Sequence, residues 1–441
     1  MFLTDLMKRR QFMSNTLFAG LGSLSLNSFG SEHLIVSENS ELNTLDLNKL
    51  HEFYHAEIFN RFIPHMDQYV IDHKLGGFMT SIDITNGKQV NSNKTAWFEG
   101  RGMWTYSFLY NNFEKNPKYL EIASKSKDFI LKHLPRDDKF FTSSYSNDGK
   151  PLSGPGDIYS SLFVAEGLFE FSKATNDKKY FNIAKEIILS CLKRYDSPDY
   201  DYYVAYLNPE APRIPGPRVL GHWMVFLRAA TQILENGPDA DMEKLADRCL
   251  DACLNHHLNP HYKLFNEVLN HDFSRPDNAY KDFAYTGHGI EMCWMLHFEA
   301  ARRKDKKLFD RITDIFKRHV TVAHDDIYGG YFRALDHVNN NTWKVDKVLW
   351  LQEEVMIGSM FIAEHTGEEW AKKLFNETLE YVLKNFTKPG NLFWASAGNR
   401  KMNEYAKNRA EHYHHPRHLM LNLLSLKRMI KRDGKTSGLF G

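Results

Sequence analysis

Four short segments of this chain bring together residue types that do acid/base chemistry on small polar molecules. WFEGRGMW holds Trp97, Arg101 and Trp104; GHGIE holds His288 and Glu291; WLQEE holds Trp350, Gln352 and Glu354; and HHPR holds His414 and Arg417. On a helix, His288 and Glu291 share a face because they are three apart, and so do His414 and Arg417. A carboxylate beside one imidazole favours its charged form, and a guanidinium beside the other favours neutral imidazole. Two histidines held in different protonation states make a working acid/base pair. A plainer reading makes Arg101 and Glu354 an ion pair between two helices. His222 occupies a matching position without charged neighbours and reads as structural or substrate-adjacent.

These segments need elements to position them, and the sequence supplies a regular set. Amphipathic helical runs alternate with short connectors, and strand-like alternation is confined to short hairpins. One connector type recurs as KNPKYLE, TNDKKYFN, PDADMEK, RKDKKLFD and HTGEEWAK, whose Tyr119, Tyr180, Met242, Leu308 and Trp370 are spaced 61, 62, 66 and 62 residues apart. A second series keeps the same step, with Trp97, Tyr159, His222, His288, Trp350 and His414 at intervals of 62, 63, 66, 62 and 64. Six helical hairpins follow. A hairpin of this length cannot bury its apolar face alone, so neighbours must stack, as an open solenoid or a closed ring. Longer Gly- or Pro-marked segments, such as GGFMTSIDITNGK and YGGYFRALDH, precede the second-series helices. Gathered at one end of the scaffold, such loops make the place where ligands bind.

Composition excludes several classes. With 441 residues the chain is too long for a small stapled module, and 56 Lys plus Arg against 55 Asp plus Glu leave no basic stripe for nucleic acid. Aromatic residues are abundant at 14%, which suits a sugar surface and thick helix packing equally. Cys191, Cys249, Cys253 and Cys293 form no CxxC pair, and Cys249 and Cys253 read as one buried helix face, so no structural zinc is expected.

Residues 1–30 differ from the rest. Lys8, Arg9 and Arg10 precede Gln11-Phe12-Met13 and an uncharged, Gly/Ser-rich stretch to Gly30, the pattern of a twin-arginine-like export signal. The apolar run is too short and polar to span a membrane, so the expected product is periplasmic or secreted. Residues 31–45 read as a polar lead-in, 46–434 as the helical domain and 435–441 as a tail.

The four motifs, in this order and spacing, resemble those of the N-acylglucosamine 2-epimerase superfamily over most of residues 47–434. WFEGRGMW resembles Trp-x-Gln-Gly-Arg-x-x-Trp, with Glu99 in the place of Gln, and GHGIEMCW resembles a Gly-His-x-x-Glu segment. WLQEE is similar to Trp-x-Gln/His-x-Glu, which puts the family carboxylate at Glu354, and HHPR fits His-x-Pro-Arg with His414 first. The resemblance implies an all-α, closed (α/α)6 barrel with short β-hairpin loops at one end and the active site in its mouth. It also implies His288 and His414 as the catalytic bases, with Trp97, Arg101, Glu291, Trp350, Glu354 and Arg417 around a small-molecule sugar. No redox or metal cofactor is needed for that chemistry; a nucleotide effector and a homodimer are left open.

Members of the superfamily interconvert N-acetylglucosamine and N-acetylmannosamine, epimerise the reducing end of cellobiose, or isomerise aldoses such as mannose to ketoses. His414-x-Pro416-Arg417 and Gly100-Arg101 lean to the first activity and Gln352 to the second, although GHWMV stands where the cellobiose branch carries Asn-Thr-His-x-His. A periplasmic polysaccharide hydrolase or lyase on a similar toroid is the competing enzyme reading, and a non-catalytic sugar-binding scaffold is the third. A hydrolase needs two carboxylates across the scissile bond, whereas the densest polar motifs here centre on histidine.

Overall fold

The computed structural model describes residues 44–135, 140–202 and 213–440. The proposed export signal, and the lead-in as far as residue 43, lie outside the described residues.

The recurring connector has a physical basis. Asn116, Asp177, Asp239 and Asp305 each stand before a helix, and their side chains accept a backbone N–H of its first turn. Just ahead of two of these caps, Asn176 and Lys304 end the preceding helix in the left-handed conformation. A cap and a stop so close together turn the chain back on itself, giving tight hairpins.

Twelve helices result among the described residues: α1 (Leu47–Ala56), α2 (Ala96–Asn112), α3 (Pro117–Leu131), α4 (Ile158–Thr175), α5 (Lys178–Tyr195), α6 (Leu220–Leu234), α7 (Ala240–Asp251), α8 (Thr286–Arg303), α9 (Lys306–Ala323), α10 (Leu349–Thr366), α11 (Glu369–Phe386) and α12 (His414–Lys431). α1 continues through π-helical turns to Val70, and α7 to His257.

The even-numbered helices form an inner ring, each packed on the next, with α12 returning to α2. Thr105 donates to the carbonyl of His412 at 3.0 Å, and His412 Nε2 lies 2.9 Å from the carbonyl of Phe98, so side chains seal that last joint. An inner helix has protein on both sides. This is why α4 is buried at every position from Ile158 to Ser172, whereas outer α9 buries only the stripe around Phe309, Ile312, Phe316 and Val320. Tyr119 and Tyr180 of the outer helices pack on Tyr106 and Phe171, away from the cavity. The ring is closed and the second helix of each hairpin is inside.

Glycine sets the closest crossing. A Cβ on Gly100 would fall 2.4 Å from the backbone of Phe163, and one on Gly167 would fall 2.5 Å from the Gly100 carbonyl oxygen, so α2 and α4 touch backbone to backbone there. Arg101 is thereby pressed against α4.

Short antiparallel pairings stitch the long loops. β1 (Lys94–Thr95) pairs with β2 (Ser144–Tyr145), β3 (Arg218–Val219) with β4 (Val268–Leu269), and β5 (Ala334–His337) with β6 (Thr342–Lys344). β7 (Lys347–Val348) pairs with β8 (Ala397–Gly398), which also pairs with β9 (Tyr405–Ala406). β1, β3 and β7 each run directly into an inner helix, so the pairing fixes where that helix begins. The residues after Lys431 fold back: Ser437 N–H donates to the Glu364 carbonyl and Phe440 packs on Phe309. No helix among the described residues is long and apolar enough to cross a membrane.

Candidate active site

The N-terminal ends of the inner helices surround a cavity of about 1060 Å³. Trp97, Arg101, His288, Glu291, Trp350 and His414 line it, together with Tyr159, Phe163, Met224, Tyr285 and Arg409. Glu354 and Arg417 are nearly fully buried just beneath. All eight residues expected from the sequence are brought into one region.

Arg417 organises the floor. Its Nη2 lies 2.6 Å from Glu291 Oε1 and 2.5 Å from Glu354 Oε1, which uses both hydrogens of that nitrogen. His414 Nδ1 is 2.8 Å from Glu354 Oε1 and 3.0 Å from the same Nη2. With the guanidinium hydrogens committed, Nδ1 donates to Glu354 and Nε2 is left as the lone-pair nitrogen. Trp294 Nε1 donates to the second oxygen of Glu354 at 2.6 Å. Burial raises the Glu354 carboxyl against the pull of Arg417, with Glu291 repelling it further and the hydrogen bonds from Arg417 and Trp294 favouring its charged form. Burial, then Arg101 and Arg417, drive the His414 imidazole well below its ordinary range, so this histidine is neutral.

His288 has the opposite setting. Burial lowers its pKa, but Glu267, whose Oε1 lies 2.8 Å from Nδ1, outweighs that effect and Glu291 adds to it, leaving the pKa raised. The two imidazoles are thus shifted in opposite directions. The cause differs from the expected one in one respect, because the carboxylate bonded to His288 is Glu267 and not Glu291, which is engaged with Arg417. Glu267 escaped notice because it lies in a loop, just before β4, where helix periodicity gives no face.

Trp350 adjoins both histidines, its ring 6.0 Å from His288 and 5.4 Å from His414 by centroids. Arg101 is not paired with Glu354. Its guanidinium lies 4.0 Å from the Phe163 ring, 4.5 Å from Tyr413 and 5.0 Å from Trp97. Burial pulls its pKa down to about 10, which leaves it charged at neutral pH. A cation held against π faces, without an ion pair to a described residue, is available to an oxyanion in the cavity.

Other supporting residues carried weaker signals. Tyr413 adjoins the His-x-Pro-Arg motif, and Glu166 and Arg228 are lone charges in apolar runs of α4 and α6. Their Oε1 and Nε lie 3.6 Å apart. Glu411 Oε1 accepts the N–H of Tyr413 at 3.1 Å and of His414 at 3.2 Å, capping α12 and aiming its first turn. His222 is fully buried behind the wall, enclosed by Tyr159, Tyr195, Tyr200 and Tyr202. Glu99 points away from the cavity and accepts from Phe78 N–H at 2.9 Å and Ser126 O–H at 2.6 Å.

Among the described residues, two buried groups bring ligand-type atoms within 4.8 Å of one another: Glu291, Glu354 and His414, and Glu353, His415 and His418. In the first, the Arg417 guanidinium already bridges both carboxylates. In the second, Glu353 Oε1 lies 2.6 Å from His415 Nδ1 and 3.3 Å from His418 Nδ1, a hydrogen-bonded cluster packed on Trp394. Neither is assigned a metal.

The chain is similar to known sugar epimerases in sequence and in fold. N-acylglucosamine 2-epimerase of Bos taurus is 26% identical over 338 residues, covering 72% of this chain and 76% of that protein. Cellobiose 2-epimerase of Bacteroides fragilis is 23% identical over 365 residues, covering 79% and 91%. The solved cellobiose 2-epimerase of Spirochaeta thermophila superposes with a TM-score of 0.74 at 17% identity, covering 87% of this chain and 98% of that one. The family model for N-acylglucosamine 2-epimerase (GlcNAc 2-epimerase) matches residues 76–416, more than three quarters of the chain, and the protein belongs to that family.

Proposed function

We propose that the protein is a sugar 2-epimerase interconverting N-acetylglucosamine and N-acetylmannosamine by two-base proton transfer at C2 of the ring-opened sugar. The observation that carries this reading is a pair of histidines lining one cavity in unlike settings, His288 on the Glu267 carboxylate and His414 beside the Arg417 guanidinium. Epimerisation at C2 needs a base on one face of the carbon and an acid on the other. In one direction His414 Nε2 takes the C2 proton, and His288 Nε2–H then delivers its proton to the opposite face of the resulting enediolate. The proton on His414 then returns to solvent and His288 is recharged from solvent, which balances the turnover. The intermediate is an enediolate whose charge falls on O1, and Arg101 is the cation that would meet it. The described side chains supply acid, base and oxyanion partner, so no cofactor is called on.

The N-acetyl substrate is favoured by the His414-x-Pro416-Arg417 and Gly100-Arg101 motifs and by the similarity to the bovine protein. One observation favours a second reading, a cellobiose-type disaccharide: the cavity, at about 1060 Å³, reaches the upper end of the range for ligand pockets, about 300–1,000 Å³, and is lined as far as Tyr200 and Tyr202. Proton NMR in heavy water against N-acetylglucosamine, N-acetylmannosamine, cellobiose and mannose tests both. The proposed reading requires solvent deuterium at C2 of the N-acetyl sugars. Labelling of cellobiose alone selects the second, and labelling of no aldose defeats both.

A further inference from the structure

Glu267 lies outside the motifs, on the loop that runs into β4, and is fully buried. A carboxylate has no packing reason to be there. Burying an ionised group costs several kcal/mol unless a partner repays it, and the partner here is the imidazole that faces the cavity. Glu267 Oε1 lies 2.8 Å from His288 Nδ1. The ring is held on its other sides as well. Tyr285 packs on it at 4.4 Å, and a Cβ placed on Gly221 would lie 3.0 Å from Nδ1, 2.9 Å from Cε1 and only 1.8 Å from the Tyr159 hydroxyl. Only glycine at 221 lets α6 come this close to both rings.

We propose that Glu267 is the positioning residue for His288: its carboxylate accepts a hydrogen bond from Nδ1–H, turns Nε2 toward C2 of the sugar and keeps the enzyme's mobile proton on His288 between turnovers. The role rests on the epimerase reading above, although the dyad itself does not. Every charged or titratable group facing His288 fits the assignment. Glu267 contacts it from the β4 loop, Glu291 lies one turn along α8, and Arg101 of α2 opposes them. His222 of α6, neutral His414 of α12 and the Tyr285 phenol packed on the ring are further titratable neighbours. The carboxylates outweigh the single guanidinium at His288, while His414 meets Arg101, Arg417 and Arg409. Between turnovers a proton on His414 is therefore the disfavoured arrangement, and it moves through solvent to His288.

The test is an NMR titration of the His288 Cε1–H in the intact protein, wild type and Glu267→Gln. In the wild type the midpoint should lie above the ordinary imidazole value of ~6.5, and the variant should lower it by about one pH unit or more. A wild-type midpoint at or below the ordinary value, or equal midpoints in the two proteins, overturns the proposal. The wild-type value decides alone should the variant fail to fold. In turnover, the alkaline limb of kcat/KM, where His288 loses its proton, should move to lower pH in Glu267→Gln, with kcat down about tenfold or more and KM little changed. A limb that stays in place while kcat falls marks a structural carboxylate and contradicts the assignment. Absence of C2 labelling by the wild type would remove the epimerase reading, and the titration would still judge the dyad.

Discussion

The hydroxyl of Tyr413 donates a 2.7 Å hydrogen bond to Glu166 Oε2, tying the first turn of α12 to the middle of α4 across 247 residues of sequence. The same ring lies 4.5 Å from the Arg101 guanidinium and 4.7 Å from that of Arg417. Tyr413 thus separates two like charges and is itself held by a buried carboxylate. Tyr413→Phe keeps the ring and leaves Glu166 with Arg228 alone, so urea denaturation should report a loss of about 1–3 kcal/mol with most turnover retained. Tyr413→Ala removes the ring from both arginines and should lose turnover as well. Equal activity in the two variants would show that the ring does not set the arginines.

Glu99 gives a pH signature. Burial raises its carboxyl to about 7, against the hydrogen bonds from Ser126 and Phe78. In the unfolded chain it titrates near its ordinary value of about 4.5. Between those two values the folded protein holds a proton the unfolded chain has released, so this group's contribution falls as pH rises from about 4.5 to about 7. Glu99→Gln removes the slope. The variant should match the wild type near pH 4 and exceed it by roughly 3 kcal/mol at pH 8. Parallel stability curves across that range would contradict the assignment. Gln352 shows the position's neutral form, since its Oε1 accepts from Tyr331 N–H at 3.0 Å as Glu99 Oε1 does from Phe78.

Export through residues 1–30 is tested by replacing Arg9 and Arg10 with Lys and following the protein by cell fractionation. The twin-arginine reading requires retention inside the cell. Undiminished arrival in the periplasm contradicts it.

The ring was legible because its cause is local and repeated. Asn or Asp caps before outer helices recur at a nearly constant step, and an inner residue such as Tyr159 or Trp350 recurs with them. Six of the eight site residues face the cavity for the same reason: they occupy the first turns of inner helices, where the step alone gives position. Glu354 and Arg417 occupy the same turns but lie beneath the cavity, joined to each other at 2.5 Å. What the step could not supply is contact between loops and helices. Glu267 is 21 residues from His288 and reaches it through β3–β4 pairing, which no periodicity encodes. Tyr413 and Glu166 meet because Gly100 and Gly167 let α2 and α4 close up, a packing fact visible only once the backbones are in place.

The central claim is that His288 and His414 serve opposite faces of one carbon. It is tested by following C2 deuterium incorporation in heavy water, separately from N-acetylglucosamine and from N-acetylmannosamine, for His288→Asn and His414→Asn. The account predicts that neither variant epimerises. Each should wash deuterium into one sugar only, through its remaining imidazole, and the two variants should prefer opposite sugars. If instead one variant loses exchange with both sugars while the other is nearly normal, a single base serves both faces and the two-base account is wrong.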